Sequence, residues 1–112
     1  MYRITKTFTI SAAHKLALDY RSKCSELHGH NWKITVSCQN HELDQNCMVA
    51  DFSHIKKNIC DMLDHKNLND VMGINPTAEN MAEFIYSLIP NCVHVTVEEQ
   101  DGSIAEYWLE DQ

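Results

Sequence analysis

The chain holds seven histidines, and three of them are spaced for metal chemistry. His28, Gly29 and His30 lead into an alternating segment. In extended backbone, residues i and i+2 point to the same side, so the two imidazoles can converge on one point. Gly29 puts no side chain between them. His14 closes Ala12-Ala13-His14, just past another alternating segment. Antiparallel pairing of the two segments would bring it beside His28 and His30. Three neutral imidazoles with one open position suit a catalytic zinc ion, Zn2+, which acts as a Lewis acid on an oxygen ligand. The plainer reading of His28 and His30 is a pair that decorates a strand or is satisfied within a core. His41 in a polar loop, His54 near a helix start and His94 opposite a valine face read as solvated or structural.

Three further places carry reactive groups. Cys24 stands four residues before His28, in an irregular loop that would overhang the metal. A nearby zinc ion or imidazolium favours the thiolate there. Cys24 could then be a fourth ligand, a base, or simply an exposed thiol. Asp64-His65 falls where a helix ends; a carboxylate beside an imidazole fixes its tautomer and stabilises its protonated form. A polar helix end accounts for the same dipeptide. Glu99 continues the parity of Val93, Val95 and Val97, which puts a carboxylate on an otherwise apolar face. Such a group needs a partner, either a basic side chain or the N–H donors of a bound heterocycle. Alternatively the strand has ended and Glu99 is exposed at a turn.

The elements that must position these groups can be read from periodicity. Tyr2 to Ile10 alternates, with Tyr2, Ile4, Phe8 and Ile10 on one face and Arg3, Thr5, Thr7 and Thr9 on the other; its β-branched content makes it a strand. A second strand runs from Asn31 to Cys38, after a loop over Lys15 to Leu27. Ile55, Ile59, Met62 and Leu63 then recur at helical spacing between Asp51 and Leu63, with Asp51 or Ser53 as N-cap. A further helix spans Ala78 to Ile89, with a stripe of Met81, Ile85, Leu88 and Ile89. Thr77 caps it and Pro90 ends it. Two strands close the chain, Val93 to Val97 and Ile104 to Leu109, joined across Asp101-Gly102, a hairpin signal. The order β-β-α-α-β-β predicts an α+β fold, an antiparallel sheet with helices on one face.

Composition narrows the function. A length of 112 residues, 44% hydrophobic and 22% charged, fits one globular domain over 1–112 with a modest core. So small a core would gain from oligomerisation. A net charge of −7 argues against binding nucleic acid, which needs a basic face. No apolar run approaches the roughly 18 residues of a membrane span. The alternating N-terminus is unlike a secretory signal, so a cytoplasmic location is expected. Five cysteines without a CxxC pair fit neither a disulfide framework nor a thiolate zinc finger.

Taken in order, the motifs resemble the 6-pyruvoyl-tetrahydropterin synthase family. They are Phe8-x-x-x-Ala12-Ala13-His14, Cys24-x-x-x-His28-Gly29-His30-Asn31, Asp51-Phe52 and Leu63-Asp64-His65-x-x-Leu68-Asn69-Asp70. Asn75-Pro76-Thr77-x-Glu79-Asn80 and Val95-x-Val97-x-Glu99 follow, so the set covers nearly the whole chain. The resemblance implies the tunnelling fold, whose subunits join their sheets into oligomeric barrels with active sites at the interfaces, as a hexamer or tetramer. It implies zinc on His14, His28 and His30, with Cys24 as proton-abstracting residue and Asp64 and His65 as an acid/base pair. Glu99 would anchor a reduced pterin through its ring N–H groups. The implied substrate is 7,8-dihydroneopterin triphosphate, which loses triphosphate. The three-residue spacer between Cys24 and His28 is similar to that of the bacterial enzymes forming 6-carboxy-5,6,7,8-tetrahydropterin and acetaldehyde on the way to queuosine. The animal 6-pyruvoyl enzymes have a longer spacer and are the alternative. Gln100 stands where the family usually has threonine, and Ala50 is smaller than the usual residue before Asp51-Phe52. Lys15, Arg21, Lys23 and Lys33 lie near the motif and could offset the acidic balance around a triphosphate.

Two other classes compete. A non-catalytic zinc module would close a four-ligand site with Cys24 and leave no position for substrate. A zinc hydrolase would use His65 or Glu99 on metal-bound water. The module gives Asp64, His65 and Glu99 no reason to converge, and the family resemblance weighs against both.

Overall fold

A computed structural model describes residues 1–111; the expected domain, 1–112, extends one residue outside the described ones. Strand β1 (Tyr2–His14) pairs antiparallel with β2 (His28–Asn40) along their whole length, from Tyr2 opposite Asn40 to His14 opposite His28. Helix α1 (Phe52–Leu63), the two-residue strand β3 (Lys66–Asn67), the short helix α2 (Leu68–Met72) and helix α3 (Ala78–Leu88) follow. Strands β4 (Cys92–Gln100) and β5 (Ser103–Tyr107) complete a sheet of order β3-β1-β2-β4-β5. The α+β expectation is met.

Alternation decides what the sheet buries. Phe8, Ile10 and Ala12 of β1, Trp32, Ile34 and Val36 of β2, and Val95 and Val97 of β4 form one core cluster with α1 and α3. The helices contribute Ile55, Ile59 and Leu63 from α1 and Met81, Ala82 and Ile85 from α3. Each fully buried side chain of this size contributes about 1.5–3 kcal/mol. The other face of the β1–β2 ribbon carries a polar ladder. Thr5 meets Ser37 at 3.1 Å, Thr7 meets Thr35 at 3.2 Å, and Ser11 donates to Asn31 at 2.8 Å.

The sheet departs from the sequence reading in three respects. Both long strands run past their expected ends, because antiparallel pairing continues through the histidine segments. The sheet is mixed, since β3 pairs parallel with β1 at Ala12 and Ala13. A β-bulge where Ser37 and Cys38 face β4 shifts the parity there, so Cys92 takes the core position and Val93 is only half-buried. Asp51, not Ser53, caps α1: its carboxylate accepts from Ser53 N at 2.8 Å. Met62 of the expected stripe is exposed, and Leu88 is only partly buried. Thr77 caps α3 as expected, accepting from Asn80 N at 3.1 Å. No helix among the described residues is long and apolar enough to cross a membrane.

Candidate metal centre and active site

The three histidines prolong the core face beyond Trp32. They share its parity along β1 and β2, so they point the way the core side chains point. Their rings lie 4.6 to 5.3 Å apart, and the Trp32 ring lies 4.9 Å from His14 and 5.3 Å from His30. Trp32 Nε1 donates to Ala12 O at 3.1 Å, fixing this floor. His14 is fully buried.

Backbone carbonyls orient two of the rings. His14 Nδ1 lies 2.7 Å from Pro76 O and His28 Nδ1 2.7 Å from Glu26 O. A carbonyl only accepts, so each Nδ1 carries the hydrogen and Nε2 is left with its lone pair, the arrangement of a metal-ligating histidine. The Pro76 carbonyl precedes the Thr77 cap of α3, and a network of asparagines holds that region. Asn75 bonds both N and O of Ala17 at 2.9 Å, Asn69 bonds N and O of Lys15 at 2.8 and 2.9 Å, and Asn80 donates to Asn75 O at 2.9 Å. The loop leaving His14 is thereby paired with side-chain amides where no strand is available.

Glu99 joins the cluster. A second bulge, between Glu98 and Gln100, leaves Glu99 without a partner on β5 and aims its carboxylate at the histidines. Glu99 Oε1 lies 3.1 Å from His14 Nε2 and 2.9 Å from His30 Nε2. Ligand atoms of His14, His28, His30 and Glu99 all fall within 4.8 Å of one another, a group that could hold a metal ion. Neither His14 Nε2 nor His30 Nε2 has a hydrogen bond among the described residues, despite being buried. Burial lowers the His30 pKa below its ordinary value; His14 and His28 push the same way, and Glu99 opposes them. Two unsatisfied ring nitrogens beside a carboxylate oxygen fit a cation.

The other candidates fall in two places. Cys24 sits in a 3-10 turn, Lys23–Ser25, capped by Ser22 and tied back to β1 by the Leu16 N to Cys24 O bond of 2.8 Å. With Lys23, Leu27, His28, His30 and Glu99 it lines a cavity of about 620 Å³. Asp64 and His65 dock instead on the outer edge of β1. Ser11 N donates to Asp64 Oδ1 at 2.8 Å, His65 N donates to Ser11 O at 2.6 Å, and the Asp64 carboxylate lies 3.6 Å from His65 Nε2. His65 has a left-handed φ of 59°, and its ring is 81% exposed. It borders a second cavity of about 560 Å³ with Ser11, Ala13, Gly29, Asn31 and Lys66, which shares His30 with the first. One chain therefore gathers Cys24, Glu99 and the three histidines but leaves Asp64 and His65 across the ribbon. The carbonyls of Pro76 and Glu26 and the asparagine clamps were not foreseen from sequence. Asn69, Asn75 and Pro76 did stand in the motifs, without a role.

Residues 3–110 match the family described as 6-pyruvoyl tetrahydropterin synthase. The 6-carboxy-5,6,7,8-tetrahydropterin synthase of Bacillus subtilis (strain 168) is 30% identical over 123 residues, covering 95% of this chain and 84% of that protein. The 6-pyruvoyl tetrahydrobiopterin synthase of Dictyostelium discoideum is 33% identical over 100 residues, covering 74% of each. Among solved structures, Caenorhabditis elegans 6-pyruvoyl tetrahydropterin synthase superposes with a TM-score of 0.76 at 25% identity, covering 97% of this chain and 96% of that one. A family match over nearly the whole chain, carried by a fold that gathers the motif histidines, makes this protein a member of the 6-pyruvoyl tetrahydropterin synthase family, a lyase of pterin synthase type.

Proposed function

We propose that the protein converts 7,8-dihydroneopterin triphosphate and water into 6-carboxy-5,6,7,8-tetrahydropterin, triphosphate and acetaldehyde, as a cytoplasmic step toward queuosine. The observation that carries this reading is the cavity in which Cys24, His28, His30 and Glu99 meet. The three-residue spacer before His28 and the name of the Bacillus subtilis relative favour the 6-carboxy product. The Dictyostelium relative's name favours formation of 6-pyruvoyl-tetrahydropterin, the second reading.

His14, His28 and His30 would hold zinc through Nε2, the nitrogen left free on His14 and His28 by the carbonyl bonds at Nδ1. Bound there, zinc supplies Lewis acidity toward the substrate's side-chain oxygens. Cys24 Sγ takes a proton from the side-chain carbon held in the cavity. Asp64 keeps the exposed His65 oriented to exchange protons on the opposite side of the substrate. Glu99 accepts two N–H groups of the pterin ring, the paired acceptance that a carboxylate offers. Lys23, at the cavity wall, meets the triphosphate charge. Bringing His65 to the same substrate as Cys24 requires a second chain, so the active form is a homo-oligomer with sites at its interfaces.

Incubation of the zinc-loaded protein with 7,8-dihydroneopterin triphosphate, with mass identification of the pterin and an acetaldehyde assay, tests the reading. A 6-pyruvoyl product without acetaldehyde would select the second one; no pterin product would sink both.

A further inference from the structure

We infer that Glu99 is a fourth metal ligand while the cavity is empty, and that it leaves the metal for the pterin ring when substrate enters. The first half stands on the geometry alone. The second rests on the function proposed above.

On His14 the hydrogen sits at Nδ1, so Nε2 presents a lone pair to the Glu99 oxygen 3.1 Å away. Two acceptors held face to face repel unless positive charge lies between them. His30 Nε2 lies 2.9 Å from the same oxygen. One oxygen thus closes on two ring nitrogens that no hydrogen bond satisfies. Zinc bonds of about 2.0–2.1 Å in a tetrahedron separate neighbouring ligand atoms by about 3.3 Å. Both contacts are near that edge length, so Glu99 Oε1 occupies a ligand's place and not merely the neighbourhood.

The same carboxylate is free to depart. Glu99 sits on a bulge without a β5 partner, and its side chain is 24% exposed where that of His14 is fully buried. It also lines the 620 Å³ cavity, as His28 and His30 do, so a ligand held beside the metal site reaches the carboxylate. A pterin ring with paired N–H donors can draw Glu99 off and vacate a coordination position. A molecule lacking those donors leaves the site closed. Ring recognition would then be coupled to metal access, a selectivity that three histidines alone do not provide.

Cobalt(II) in place of zinc makes this visible, because its absorption in the visible range reports donor set and coordination number. The ligand-free cobalt forms of wild type, Glu99→Ala and Glu99→Gln are compared first, with circular dichroism to check folding. The expected result is a shifted spectrum and at least about tenfold weaker cobalt binding in both variants, as for loss of an ordering or ligating group. Spectra and affinities identical to wild type would overturn the inference, whether or not the wild-type enzyme turns over. Next, a pterin without a side chain is added, which offers ring donors but no side-chain oxygen. Its binding should change the wild-type spectrum and leave that of Glu99→Ala unaltered. An unchanged wild-type spectrum would overturn the exchange. Pterin fluorescence then separates binding without displacement from failure to bind, the latter counting against the proposed function as well.

Discussion

Cys24 borders the cavity, yet it does not belong to the four side chains whose ligand atoms converge among the described residues. Under the proposed function the thiol acts on substrate and does not hold metal. Cys24→Ala is expected to keep zinc and fold while losing turnover by about 10²- to 10⁴-fold, the range for removal of a general base. Metal analysis beside the product assay checks this. Loss of zinc would place Cys24 in the coordination sphere, and near-normal turnover would hand the proton to another group. The complementary change is His28→Ala with His30→Ala, which removes two of the three nitrogens and should abolish stoichiometric zinc; undiminished zinc would break the assignment. The histidines were legible because strand periodicity is short-range: His28 and His30 differ by two residues, and the β1–β2 register supplies His14. The groups that orient them were not, because a backbone carbonyl leaves no trace in composition. Pro76 O reaches His14 across 62 residues of chain.

At the scale of elements, caps and bulges decide what the repeating pattern leaves open. Asp51 caps α1, and the bond from Ser53 N holds its carboxyl below the usual carboxylate range, with His54 a smaller contributor. A depressed folded-state value adds stability that is present above the unfolded value of about 4 and is lost as pH falls through the folded one. Asp51→Asn keeps an acceptor for the cap but removes the titration. The thermal midpoint of wild type should therefore fall more steeply than that of the variant as pH drops below about 4; parallel curves would show that the cap charge is irrelevant. Both helices and all four main strands were legible from spacing, since Ile55, Ile59 and Leu63 or Phe8 and Ile10 repeat with unambiguous periods. The bulges were not, because nothing local distinguishes the extra residue. At Val93 the first bulge broke the expected parity. At Glu99 the second bulge leaves the carboxylate beside the histidines. The short elements β3 and α2 are likewise too brief to carry a period and exist through what they dock against, the outer edge of β1.

The whole molecule is extended for its length. Its radius of gyration is 14.9 Å, with extents of 51 × 29 × 25 Å, whereas a compact chain of this size is expected near about 13 Å. The excess comes from the β1–β2 ribbon, whose strands have 13 residues each. Beyond the contact with β3 at Ala12 and Ala13 and the Asp64-His65 bonds at Ser11, β1 has no strand on its outer side among the described residues, and β5 closes the other end of the sheet. Exposed apolar side chains stand close to both edges, Tyr2 on β1, Ile104 on β5 and Trp108 just beyond it. Unpaired edges with apolar neighbours are templates for another chain, so sedimentation at assay concentration should show an oligomer; a fully active monomer would refute it. The placement of the catalytic candidates makes a sharper demand. Cys24 and His65 line different cavities of the same chain, so the proposed function draws them to one site from two chains. Cys24→Ala and His65→Ala should each be inactive alone. Refolded together in equal amounts, they should regain about a quarter of wild-type activity, the fraction of interfaces that combine two intact groups under random mixing. No chain in the mixture carries both residues, so a site built within one chain would recover nothing.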